Sequence, residues 1–407
     1  MRKINTKSFR RATRTTTREI NRQILLNLVR EHQPISRAEL ARHMGVARGS
    51  VTPLVKDLLA DGLIYEGTTK AVTSRGRRPR LLYVRTRDRL AIGVDIRYSG
   101  TSILVADFAG QEIASDRFAT PLVPEEMVAR LASRLRGVKE KCADVGECEG
   151  VGLVVPGIVD PVTGVVLRAP TLGWREVDLR GALAAAIEVP VYIERDAVAC
   201  AMAHMWMGHT PGGKGDNFVY LTVSDGVGTG LVVNGGILRG ALSTAGEFGH
   251  IPLNADGPRC ACGARGCLEA YTANPATVAR YLGRELDSAE AYAALRFSDV
   301  DIRGVIARAR SGDAAASTAL RETGRYLGLG IANLINAVSP AQVVVGGEIT
   351  AAWDLIEPLV RESLRSRALT TASAETPVVI ETNEDLLRLR GGTSLVLAPV
   401  LGAPEVA

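Results

Sequence analysis

Four residues between positions 250 and 267 have the types and the spacing to hold a metal ion: His250, Cys260, Cys262 and Cys267. Three thiolates and one neutral imidazole make a closed, tetrahedral zinc site of the Cys3His type. Gly263 and Gly266 let the chain turn tightly between ligands. Two carboxylates flank the set: Glu247, in the run Gly246-Glu247-Phe248-Gly249-His250, and Glu269, two residues past the last cysteine. The spacing therefore predicts a structural Zn2+ that pins a histidine and two acidic groups beside one another, as a small-molecule pocket requires. Disulfides are the competing use of these cysteines. No hydrophobic leader precedes the first polar residues, and no run is long enough to span a membrane, so a reduced, cytoplasmic setting is expected. Cys142, Cys148 and Cys200 are then ordinary reduced thiols.

These groups sit in a chain of 407 residues, too long for one ordinary domain. The net charge of +5 is unevenly spread. Residues 1–90 carry 21 Lys and Arg against 7 Asp and Glu, a balance of +14, which leaves −9 for the remainder. A basic head on an acidic body predicts a nucleic-acid module attached to something that binds a different ligand.

The head reads as three helices and a wing. Over residues 18–32, Ile20, Ile24, Leu25, Leu28 and Val29 share one helical face, and Pro34 ends the run. Ser36 and Glu39 form a capping box for a second helix that stops at Gly45. A third helix runs from about 47 to 61, with Val51, Leu54, Val55 and Leu58 inward and Arg48, Ser50, Thr52 and Lys56 outward. This is a helix-turn-helix pattern whose last helix fits the major groove of double-stranded DNA. Pro53 removes one backbone donor and is expected to bend that helix. Two short apolar runs, 63–66 and 81–84, predict wing strands around a tip that carries Arg75, Arg77 and Arg78, suited to a narrow minor groove. A basic arm over 1–17 adds phosphate contacts. The head is thus expected to span 18–87.

From residue 88 onward the pattern is α/β. Buried strands are expected at 91–96, 101–107, 112–118, 150–155, 191–194, 220–223, 231–233 and 342–345, with helices at 124–141, 197–207 and 318–337. Strand triplets followed by helices occur twice, which predicts two related lobes around a cleft. One lobe is expected over about 88–208 together with a C-terminal helix at 385–401, the other over 209–384.

The GEFGH run followed by Cys260-Ala261-Cys262-Gly263-Ala264-Arg265-Gly266-Cys267-Leu268-Glu269 resembles the ROK family of repressors and sugar kinases. The resemblance extends over about 18–400 and implies a two-lobed, actin-like and hexokinase-like body. The helix-turn-helix resembles the repressor branch. Carried onto this chain, the resemblance implies that Glu247, His250 and Glu269 hydrogen-bond sugar hydroxyls, with His250 binding zinc through its other ring nitrogen. Asp196 falls where the kinases keep their general base. The run Pro170-Thr171-Leu172-Gly173-Trp174 resembles a loop that closes over the sugar, with Thr171 in place of the usual Asn.

Two departures argue against phosphoryl transfer. A phosphate loop needs residues without side chains so that backbone N–H groups reach ATP. Where the kinases carry D-x-G-G-T, this chain reads Asp95-Ile96-Arg97-Tyr98-Ser99. The kinase Asn-Asp pair is Arg195-Asp196 here, and a guanidinium beside Asp196 would compete for its oxygens and weaken it as a base. Arg195 could instead read an acidic sugar or a sugar phosphate, or form a structural salt bridge to Asp196 or Glu194. The second glycine run, 226–230, survives as a loop.

The sequence therefore predicts a non-enzymatic, homodimeric transcriptional repressor of carbohydrate genes. Its effector is a sugar or derivative bound by Arg195, Asp196, Glu247, His250, Glu269 and Thr171. Two other readings stay open on the residues: a sugar kinase with a DNA-binding head, and a DNA-binding protein that takes no ligand.

Overall fold

The computed structural model describes residues 13–67, 80–86, 88–142, 144–207, 216–295 and 298–402. The wing-tip residues Arg75, Arg77 and Arg78 lie outside the described residues, as does most of the expected arm.

The head opens with α1 (Arg14–His32). It begins four residues before the expected start, which shortens the arm. The reason is a second capping box: the Thr13 hydroxyl accepts the Thr16 N–H at 3.2 Å, and the Thr16 hydroxyl faces the Thr13 N–H at 3.4 Å. The run of three threonines at 15–17 has low helix propensity, so its helical state depends on that cap. Next come the short strand β1 (Ile35–Ser36), α2 (Arg37–Met44) and α3 (Arg48–Ala60). Gly45 ends α2 at φ 65°. Pro53 lies inside α3 on its exposed side, so the Gly49 carbonyl that loses its donor faces water rather than the core. The wing strands β2 (Ile64–Gly67) and β3 (Leu81–Val84) pair antiparallel, and β1 adds to β3.

The first lobe is built on β4 (Arg89–Arg97), β5 (Gly100–Asp107), β6 (Glu112–Phe118) and β7 (Glu147–Val155). A small sheet of β8 (Ile158–Asp160), β9 (Val165–Ala169) and β10 (Trp174–Val177) follows, then β11 (Val191–Arg195). The main sheet runs β11-β7-β4-β5-β6, parallel on one side of β4 and antiparallel on the other. α4 (Pro124–Lys141) and α5 (Leu179–Ala186) bury Leu131, Leu135 and Leu183 against it.

α6 (Asp196–Met207) leaves the end of β11 and leads to the second lobe. There β12 (Phe218–Val223), β13 (Val227–Val233), β14 (Gly236–Ile237), β15 (Gln342–Gly346) and β16 (Val378–Ile380) form a sheet in the order β14-β13-β12-β15-β16. It repeats the logic of the first: β12 is antiparallel to β13 and parallel to β15. The run 226–230, expected as a loop, is mostly strand. Gly228 and Gly230 pair with Thr222 and Tyr220 of β12, and residue 230 is glycine because a Cβ there would overlap the Ala197 carbonyl of α6.

The C-terminal helix (Glu384–Leu401) returns to the first lobe and lies directly on its sheet. The approach needs glycine: a Cβ at Gly152 would overlap the carbonyl oxygen of Gly392, and one at Gly93 that of Leu389. An apolar cluster joins the head to the body. Leu25, Leu26 and Val29 of α1 pack with Ala91, Phe108, Val396 and Leu397. Among the described residues no helix is long and apolar enough to cross a membrane.

Candidate metal and ligand site

The chain folds back on itself after a short 3-10 turn at Phe248–His250, and pairing of Pro252 with Cys267 and of Arg259 with Arg265 draws the loop into a compact knuckle. The candidate ligand atoms of His250, Cys260, Cys262 and Cys267 all lie within 4.8 Å of one another. Cys260 Sγ is 3.7 Å from His250 Nδ1, and the Cys262 and Cys267 sulfurs are 3.8 Å apart. A tetrahedron with Zn–S bonds of about 2.3 Å has sulfur–sulfur edges of about 3.8 Å, so donor type and spacing both fit zinc. Gly263 and Gly266 turn at φ 99° and 71°. Burial pushes the Cys260 thiol well up and the Cys267 thiol up to about 11. A divalent cation among them would reverse that penalty and hold both as thiolates.

The two flanking carboxylates point to different partners. Glu269 ties the knuckle to the second-lobe sheet: its Oε2 accepts the Val227 N–H at 2.9 Å, and its Oε1 is 3.3 Å from Cys260 Sγ. Glu247 is half-buried and lies 4.0 Å from His250 Nε2, the ring nitrogen turned away from the sulfurs. Burial raises its pKa, and the Arg195 guanidinium opposes that rise. Thr171 sits half-buried in the turn between β9 and β10, and Trp174, at the start of β10, donates its indole N–H to the Leu122 carbonyl at 2.6 Å.

Arg195 does not touch Asp196 through its side chain. Its guanidinium pairs with Glu247 and donates to the Ala245 carbonyl, and its backbone N–H donates to Glu194 at 3.0 Å. Glu194 itself is held by Arg239. The expectation that Arg195 competes for the Asp196 oxygens is therefore corrected. β11 and the following helix alternate side-chain direction, which sends residue 195 toward the GEFGH turn and residue 196 toward the cleft.

The guanidinium on Asp196 comes from a residue the sequence did not single out. Arg388 of the C-terminal helix, 4% exposed, donates from Nη1 to Asp196 Oδ2 and from Nε to Asp95 Oδ1, both at 2.9 Å. The other Asp95 oxygen accepts Arg97 Nε at 2.6 Å, and Arg97 also pairs with Asp385 at 2.7 Å. Both oxygens of Asp95 are thus taken by guanidinium groups. Glu384 stands one turn before Arg388 and accepts the Thr222 hydroxyl of β12 at 2.6 Å. The first turn of the C-terminal helix consequently touches both lobes. The charged pair Glu384 and Arg388 and the Gly391-Gly392 doublet are visible in the sequence. Nothing local to them shows that Asp95, almost 300 positions earlier, is their neighbour.

The second candidate surface lies on the head. Arg48, Ser50, Thr52 and Lys56 are all exposed along α3, while Val51, Leu54, Val55 and Leu58 are buried beneath them. Arg18 grips Asp57 of α3 at 2.7 Å and Arg22 pairs with Asp61, the C-cap of α3, so both acidic groups are turned toward α1 and away from the basic face. At the root of the wing, Glu66 holds Arg80 at 2.6 Å and also pairs with Arg37.

The ROK family model matches residues 91–398, and the MarR family model matches residues 23–66. The xylose repressor of Caldicellulosiruptor bescii is 28% identical over 402 residues, covering 97% of this chain and 99% of the relative. The DNA-binding transcriptional dual regulator NagC of Escherichia coli is 29% identical over 364 residues, covering 89% and 88%. Among solved structures, a ROK family transcriptional regulator described as a homolog of the E. coli MLC protein superposes with a TM-score of 0.77 at 25% identity, over 95% of this chain and 99% of that one. A ROK family glucokinase from Streptomyces griseus, in complex with glucose and AMPPNP, superposes with a TM-score of 0.63 at 28% identity, over 75% of this chain and 98% of that one.

Proposed function

The chain belongs to the ROK family, and we propose that it is a transcriptional repressor whose hold on an operator is controlled by a sugar or sugar derivative bound in the two-lobed body. One observation carries this reading: a winged helix with an exposed basic face shares its core with a body in which Asp95 and Asp196 are both bound by arginine. Phosphoryl transfer needs an unencumbered base and a glycine cradle for phosphate. Arg388 and Arg97 occupy that place, which supports a sensor rather than a kinase.

In this reading Arg48, Ser50, Thr52 and Lys56 face the major groove of double-stranded DNA, and Arg75, Arg77 and Arg78 reach the adjacent minor groove. Glu247 and His250 bind sugar hydroxyls together with Asp196, and Thr171 closes over them. Glu269 acts mainly by fixing the knuckle, and Arg195 by orienting Glu247. Zn2+ held by His250, Cys260, Cys262 and Cys267 supplies no chemistry beyond rigidity: it fixes the imidazole that faces the ligand. The protein is expected to act in the cytoplasm as a homodimer, because a two-fold operator is matched by a two-fold protein. Relatives of nearly equal identity are named for xylose and for N-acetylglucosamine, so both sugars belong in the test.

That test is a thermal-shift panel of D-xylose, N-acetyl-D-glucosamine, D-glucose and their phosphates, each with and without magnesium and ATP. A ligand of the folded state raises the midpoint. The sensor predicts a rise with one sugar class and no added effect of ATP. An ATP-dependent rise with consumption of the sugar would make the protein a kinase. No rise with any sugar would favour a DNA-binding protein without a ligand.

A further inference from the structure

Two helices run from the cleft to the head. α6 spans about 18 Å and the C-terminal helix about 27 Å at 1.5 Å per residue. At the cleft end they are joined by the ion pair between Asp196, the first residue of α6, and Arg388 of the C-terminal helix. At the other end both meet α1. Arg30 of α1 donates to the Trp206 carbonyl at 3.1 Å, and its guanidinium lies 5.5 Å over the Trp206 ring. Val396 and Leu397 of the C-terminal helix lie in the head cluster with Leu25 and Val29.

Both Asp196 oxygens are engaged: Oδ2 by Arg388, and Oδ1 by the Ala197 N–H at 2.7 Å. Each carboxylate oxygen still has a second acceptor site, so a sugar hydroxyl can join these donors, and by drawing on the charge of Asp196 it loosens the pair with Arg388. Arg388 is buried, and its helix is packed glycine to backbone on the sheet, so it has no room to swing freely. Close-packed elements respond to such a change by shifting as units. We propose that Arg388 and Arg30 are positioning residues at the two ends of one lever, in which ligand contact with Asp196 releases Arg388 and the paired helices carry the change to the head through Trp206. The input end rests on the sugar-sensor reading; the mechanical link between the ends does not.

The link is tested without ligand or DNA, by hydrogen exchange on the full chain. Arg388→Met removes the ion pair and keeps the apolar stem. The lever predicts that amides in residues 22–32 of α1 exchange faster by between about 5- and 150-fold, the span of ordinary coupling energies. The far helix Ala314–Val338 stays at its wild-type rate. Changes confined to the cleft, or a rise shared by the whole chain, would overturn it. Should Arg388→Met fail to fold, Arg30→Met reads the lever from the other end, because coupling is reciprocal. Faster exchange at 196–200 and 384–390 is then expected, and wild-type rates there would overturn it. A surface change, Glu357→Gln, serves as the control. A sugar panel without hits would remove the sensor reading and leave this result standing by itself.

Discussion

Glu384 carries a pH dependence large enough to measure. Its carboxyl lies beneath the second-lobe sheet, accepts the Thr222 hydroxyl and is 4.0 Å from Arg388 Nη1. Burial pushes its pKa from 4.5 to about 7, although Arg388 pulls the other way. The folded protein therefore holds this proton more tightly than the unfolded chain does. Its contribution is fully present below pH 4.5 and is lost as pH rises through about 7, so stability falls across that window and then levels. At about 1.4 kcal/mol per pH unit, the full step is worth up to about 3 kcal/mol. Glu384→Gln keeps an acceptor for Thr222 and cannot ionise. The variant should match wild type to within about 1 kcal/mol at pH 5 and exceed it by up to about 3 kcal/mol at pH 8. Urea unfolding followed by circular dichroism at four pH values gives the comparison. A gap of the same size at pH 5 and pH 8 would refute the burial argument.

Other perturbations probe the remaining parts. Cys262→Ser should drop bound zinc from one equivalent to none by elemental analysis. The same variant should lose the sugar-induced thermal shift while the basic head still binds DNA. Lys56→Ala should weaken DNA binding for all sequences and lower the salt slope by about 1, whereas Arg48→Ala, if it reads a base, should cost about 1–3 kcal/mol only on the cognate operator. Gly152→Ala forces a methyl into the Gly392 carbonyl and should destabilise the first lobe by about 3 kcal/mol, the upper end of the overpacking range, read as a fall in the urea midpoint.

The regular elements were legible because their periods are strong. The wing strands are readable as short apolar runs, and the helix from 124 to 141 from its amphipathicity. The His/Cys knuckle is legible for a different reason: four residues of metal-ligating type close in sequence are brought close in space. Three features were not. β1 has two residues and so no period to read. The glycines at 228 and 230 look like a loop because glycine is common in turns, yet they serve close packing of β13 on α6. Arg388 carries no local signal because its role depends on where the last helix lands, and that is set by glycine contacts between segments far apart in the chain. The partner of Arg195 followed from the same cause: neighbours in sequence, 195 and 196, point to different sides.

The central claim is that a sugar controls DNA binding by this chain. Its most direct test is fluorescence anisotropy of full-length protein with DNA from upstream of its own gene, at fixed salt, titrated with and without each sugar of the panel. The sensor predicts specific binding that one sugar class weakens by at least about tenfold, within the ordinary range of coupling energies, whether or not ATP is present. Binding that no sugar alters, together with transfer of phosphate from ATP to a sugar, would contradict it.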